Sequence, residues 1–336
     1  MKNILFYTLT VLIWGSTWIG IKFQLGSVDP IVSVAYRFSL AAIVLMLWCT
    51  LRRLNMRFTI KDHLFMALQG TFLFALNYWL FYVSELYITS GLAAVIFSLV
   101  LILNLINGAI FLRSPFNAKI IVGGVFGLCG IMLVFKPELN AFHWEDKAVL
   151  GIMTAFSATL LASFGNIISA RNQKNGLPVV QTNAWGMTYG ALLMLTIAAI
   201  SGRTFVFDLS LEYVGALIYL AVFGSIVAFG CYLSLLGRIG AARAAYATLL
   251  FPIVALIIST IWEGYHWSGE AFAGVGLILS GNLFMMKKIS IGEIKTGLNR
   301  LAGIIPWVPK PTALSSNLIG STSHPHREPH EKKASV

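Results

Sequence analysis

The sequence predicts an all-α polytopic membrane protein of ten transmembrane helices, arranged as two five-helix repeats of inverted topology. Three observations lead there. Hydrophobic residues make up 57% of the chain and charged residues 11%, with a mean hydropathy of +0.80, which is too apolar for a soluble domain. Apolar runs long enough to cross a hydrocarbon core ~30 Å thick recur ten times, and basic residues gather in every second loop between them. Displacing the chain by roughly 150 residues lays glycine, alanine and proline positions of the second half on those of the first.

The first run, 4–23, follows no small-residue cleavage site and is too long for a signal peptide, so it reads as a span. Its last turn and the second run, 30–50, contain two cations, Lys22 and Arg37. A cation in hydrocarbon costs roughly 3 kcal/mol on insertion scales, so it should face a protein interior or a wet cavity. Trp14, Trp18 and Lys22 stand at i, i+4 and i+8 and are expected to form one stripe. Lys22 is close enough to the following loop that its stem could instead snorkel to the interface. Arg37 lies seven residues past Pro30, about 10 Å inside the next helix at ~1.5 Å per residue.

The third run, 64–84, carries Asn77, Tyr78 and Tyr82, and Glu85 follows on the same face, a candidate partner for Arg37 or Lys22. The fourth, 92–112, holds Asn104 and Asn107, and the fifth covers 118–135. The sixth, 148–170, places Ser163 and Asn166 at i, i+3; the seventh, 178–200, places Trp185 and Tyr189 at i, i+4. These polar groups suit hydrogen bonding to a small solute, with interhelical adhesion as the plainer alternative. Runs at 212–235, 242–262 and 268–286 complete the set. The polar stretch from 287 to 336 reads as a disordered basic tail, and its His324, His326 and His330 as solvated residues.

With the N-terminus inside, eleven Lys and Arg before the tail fall on the inner side and three, Lys136, Lys147 and Arg203, on the outer. Both termini are therefore expected in the cytoplasm, and the net charge of +11 reports sidedness rather than nucleic-acid binding. A shift of 151 lays Gly123 and Gly130 on Gly274 and Gly281. Repeats of 4–135 and 148–286 follow, and because five helices are an odd number the second must enter from the opposite side. The glycines are expected at close helix contacts. Cys49, Cys129 and Cys231 sit in apolar runs and should be small buried hydrophobes.

No His or Asp falls inside a run, and no HExxH, phosphate-cradling glycine loop or paired intramembrane acid is present, so enzyme chemistry, metals and cofactors are not expected. The site predicted is Trp14, Trp18, Lys22, Arg37, Asn77, Tyr78, Tyr82, Glu85, Asn166, Trp185 and Tyr189. In it the two cations hold an anionic group, most simply a carboxylate, of a small-molecule substrate.

The motifs IWGSTWIGIK at 13–22, YRFSLAA at 36–42, SELYITSGLAAVIFS at 84–98 and FGSIVAFGCYLSLLGRIGAARAAYATLLFPIVA at 223–255, with Glu263 following, resemble the EamA-type transporters of the drug/metabolite transporter superfamily. The likeness covers nearly all of 4–287. It implies ten helices in the inner plasma membrane, cytoplasmic termini, a central cavity and movement of small metabolites, commonly export of amino acids or related compounds. Efflux of hydrophobic or cationic drugs is the alternative within that class, and an intramembrane enzyme or a scaffold the alternative outside it; oligomeric state is left open. Two positions depart from the pattern. Arg113-Ser114-Pro115 stands where a Gly-Glu pair is common, and Leu101 stands at the counterpart of Pro252, so the halves do not share a proline hinge.

Overall fold

A computed structural model describes residues 2–286 apart from 89–92, 94–95, 116–117, 135, 137–145 and 263–266. The tail 287–336, Glu263 and the side chain of Trp18 lie outside the described residues. All regular structure among the described residues is helical. The helices are α1 (Lys2–Lys22), α2 (Pro30–Leu51), α3 (Ile60–Ser84), α4 (Val100–Leu112), α5 (Ala118–Val134), α6 (Asp146–Lys174), α7 (Val179–Ile200), α8 (Leu211–Ile239), α9 (Ala247–Trp262) and α10 (Gly269–Met286). Six of them, α1, α2, α3, α6, α7 and α8, are long and apolar enough to cross a membrane; four shorter apolar stretches of 10–17 residues accompany them.

Local signals account for the ends. The Asp29 side chain accepts from Ile31 N at 2.9 Å and Pro30 opens α2, fixing where Arg37 sits along it. Thr59 and Asp62 form a capping box, so α3 starts at Ile60 and draws Asp62 and His63, expected beside a loop, into its first turn. The run expected at 242–262 is divided. A four-residue turn, Ala241–Ala244, precedes α9, and Tyr246, Thr248 and Leu249 donate to the carbonyls three residues back, which tightens this corner.

The core centres on α2, where Val32, Val34, Ala35, Phe38 and Ala41 are fully buried. Helix α2 packs along α7 and α5 along α10; α1 rests on α8 and α9 as α6 rests on α3 and α4. At the α5–α10 crossing the backbones touch: a Cβ on Gly123 would come 2.9 Å from Gly281 O, and one on Gly130 would come 2.6 Å from Gly274 O. Glycine is required there, as its spacing suggested. Helices α3 and α8 each contain a π-helical stretch, Gly70–Leu76 and Leu220–Val227. Cys49 and Cys231 are buried free thiols, whereas Cys129 is exposed, contrary to expectation. It projects from the outer surface of α5 beside the exposed Val125 and Phe126, away from the glycine face that meets α10.

Candidate functional site

Arg37 is 1% exposed, and the π stretch of α8 holds it in place. Its Nε donates to Ser225 Oγ at 3.0 Å, and Ser225 Oγ in turn donates to Leu220 O, five residues back, at 3.0 Å. One residue earlier, Gly224 O accepts from Trp14 Nε1 at 3.1 Å. One carbonyl and one hydroxyl of the π stretch thus orient the two side chains. Gly224 has to lack a Cβ, because one would lie 3.2 Å from Arg37 Nη2 and 2.9 Å from Thr17 Cγ2. The Arg37 guanidinium also lies over the Tyr78 ring, 4.6 Å from its centroid.

These groups line a cavity of about 70 Å³ between helices α1, α2, α3, α6, α8 and α9. At ~10–15 Å³ of such space for each water, that is room for about five to seven waters, the volume of a small amino acid. Trp14, packed edge-on against Phe229 at 5.0 Å and tilted against Tyr232 at 4.9 Å, forms one wall. Phe81, Phe97 and Phe251 form much of the rest. Within this apolar lining three buried polar atoms have no hydrogen-bond partner among the described residues: Arg37 Nη1, Asn77 Oδ1 and Asn166 Oδ1. Buried polar atoms are normally satisfied, so three unpaired ones on residues that line one cavity single out those residues as candidates for a ligand's polar groups.

The cavity thus gathers Trp14, Arg37, Asn77, Tyr78 and Asn166 from the predicted set. The others are not on the cavity lining, although Tyr82 is close enough to Arg37 to interact with its guanidinium. Lys22 is exposed at the end of α1. Tyr82 is buried and donates to Gln24 Oε1 at 2.8 Å. Glu85, the first residue past α3, has both carboxylate oxygens shielded; burial pushes its carboxyl up to about 8 against the pull of the Lys22 charge, so it is a poor standing counter-ion for Arg37. Trp185 donates to Met56 O at 3.3 Å and Tyr189 bonds His63 Nδ1 at 2.8 Å, both near the start of α3. Asn107 donates to Ser163 Oγ at 2.9 Å, an adhesive pair between α4 and α6.

Thr17, Ile21, Phe229, Tyr232, Thr248 and Phe251 also line the cavity and were not anticipated. Their spacing carried the signal: Trp14, Thr17 and Ile21 stand at i, i+3, i+7, and Phe229 and Tyr232 at i, i+3.

The model of the EamA-like transporter family matches the chain twice, over residues 1–136 and 149–287. The chain belongs to this family. It is therefore a membrane transporter, with its cavity residues drawn from both matched stretches. Among curated family relatives, it is 27% identical over 264 residues to "Protein PagO" of Salmonella typhimurium, covering 77% of this chain and 84% of that one. It is 24% identical over 299 residues to a "Probable amino-acid metabolite efflux pump" of Escherichia coli, covering 85% and 97%. An "Uncharacterized transporter" of Archaeoglobus fulgidus is 26% identical over 288 residues, covering 86% and 100%. One solved crystal structure shares the fold with a TM-score of 0.71 at 16% identity, over 84% of this chain and 96% of its own.

Proposed function

We propose that this transporter is a secondary carrier that exports a small carboxylated metabolite, an amino acid or a related compound, by alternating access between two inverted five-helix repeats. The observation that carries the substrate class is Arg37 Nη1: a buried, unpaired guanidinium nitrogen on a residue that lines a largely aromatic cavity with no described acid suits an anionic group. A cationic drug is disfavoured there, since no Asp or Glu lines the cavity among the described residues to offset Arg37. Export is supported by the relatives that carry the efflux-pump name.

Three features support the inverted repeat. Gly123 meets Gly281 and Gly130 meets Gly274, so with a 151-residue offset each contact is the mate of the other under a two-fold relation. The helix pairs α2–α7 and α5–α10 map onto themselves under a five-helix exchange, and α1–α8 maps onto α6–α3. The two π stretches begin 150 residues apart, at Gly70 and Leu220. In place of a shared proline, these stretches give each half a yielding turn beside the cavity.

Purified protein in liposomes provides the test. Counterflow of an accepted amino acid should be inhibited far more by the free acid than by its primary amide, which has lost the carboxylate; equal inhibition by the two would remove the carboxylate from recognition. Sidedness is tested separately with reporters fused to the C-terminus. The alternating basic loops predict activity of a cytoplasm-dependent reporter, and activity of a periplasm-dependent one would reverse the whole placement.

A further inference from the structure

We infer that Asn77 and Asn166 are specificity-determining residues: their side-chain carbonyl oxygens receive an ammonium group, so that the cavity selects zwitterions over plain carboxylates. The inference rests on the carrier reading above and extends it to the opposite end of the ligand.

Asn77 and Asn166 are 4% and 3% exposed, and each has an Oδ1 that accepts no hydrogen bond from a described residue. The orientation of Asn166 is fixed by a relay. Asn104 Nδ2 donates to Ala241 O at 3.5 Å, which turns Asn104 Oδ1 toward Asn166 Nδ2 at 3.4 Å; Asn166 Nδ2 also reaches Tyr232 Oη at 3.2 Å. The amide nitrogen is thereby committed, and the oxygen is left as an acceptor that lacks a donor. Asn77, on α3, brings a second buried Oδ1 that accepts no bond from a described residue. The residues lining a single cavity thus carry one buried unpaired cationic donor and two buried unpaired neutral acceptors, which small side-chain turns would offer to a molecule carrying both a carboxylate and an ammonium.

The walls fit the same ligand. Trp14, Phe229 and Tyr232 form a contiguous aromatic surface that can receive an ammonium on a ring face or an apolar side chain. Two amide oxygens and aromatic faces hold a cation less tightly than a carboxylate would, which suits a site that must also release its ligand. A second positive charge on the side chain would find no described acid on the cavity, so the expected side chains are neutral.

The experiment begins with a thermal-shift screen of wild-type protein against the proteinogenic amino acids and takes the strongest binder forward with its des-amino acid and its amide. Wild type should bind the amino acid at least about tenfold more tightly than the des-amino acid, the scale of one hydrogen bond to a charged group. Asn77→Leu and Asn166→Leu should each shrink that preference several-fold while keeping the preference for acid over amide, which depends on Arg37. Two results overturn the inference and leave the carrier reading standing: a des-amino acid bound as tightly as the amino acid, or variants of unchanged thermal midpoint that keep the full amino preference. Absence of any acid-over-amide preference would instead fall on the carrier reading itself. The wild-type arm does not depend on either variant folding.

Discussion

Arg37→Gln is expected to weaken binding of the carboxylated solute by roughly 30-fold or more, since truncating one side of a buried charged pair costs about 2–5 kcal/mol. Ligand titration and counterflow rates both read this loss. The empty protein should be no less stable for the change. A guanidinium 1% exposed, with no acid among the described residues lining its cavity, is a desolvated charge, and relief of that desolvation offsets the loss of its Ser225 bond and Tyr78 contact. Ser225 keeps its bond to Leu220 O in the variant, so the π stretch retains an internal tie. Arg37→Lys preserves the charge without the planar fork and should fall between the two, about tenfold weaker for the acid. A thermal midpoint that drops in step with transport would make Arg37 a structural support, and undiminished transport by Arg37→Gln would take it out of the site.

The largest stability effect is expected at the α5–α10 crossing. A Cβ at position 130 would come 2.6 Å from Gly274 O and 2.7 Å from Ile278 Cγ1, and relief requires two helix backbones to separate. Gly130→Ala should therefore destabilise by about 1–3 kcal/mol, a fall of roughly 2–10 °C in the detergent thermal midpoint. Gly276→Ala on α10, the other helix of the crossing, supplies the control. Nothing lies within 4 Å of its added Cβ, so alanine's better helix propensity should leave the midpoint unchanged or slightly raised. Combining Gly130→Ala with Gly274→Ala should cost less than the sum, because one separation relieves both contacts. Equal midpoints for Gly130→Ala and Gly276→Ala would mean that the crossing is loosely packed.

Much of this was legible in the residue pattern, and the misses have identifiable causes. Each apolar run falls on helical structure, since hydrophobic length marks such elements, but among the described residues only six helices reach membrane-crossing length and the run at 242–262 is divided. Helix α6 runs on to Lys174, past the predicted 170, because Asn172 is not a terminal polar residue. It is fully buried and donates to Gln69 Oε1 at 3.0 Å, an amide bridge between α6 and α3 that hydropathy cannot register. The burial of Arg37 was legible because a deep cation has few places to go. Lys22 was grouped with Trp14 through an i, i+8 stripe, yet at 3.6 residues per turn eight residues overshoot by about 80° whereas seven fall short by only about 20°. The stripe that faces the cavity is accordingly Trp14, Thr17 and Ile21. Trp185 and Tyr189 do share a face, but that face meets His63 and Met56; periodicity gives the direction of a side chain and not the neighbour it finds.

A structure of the full-length protein in a lipid nanodisc with a bound amino acid tests the central claim most directly. The account predicts density in the cavity bounded by Trp14, Phe229 and Phe251, with the ligand carboxylate about 2.7–2.9 Å from Arg37 Nη1. A ligand bound with its carboxylate away from Arg37, or Arg37 Nη1 satisfied by a protein group while the ligand lies elsewhere, would contradict it.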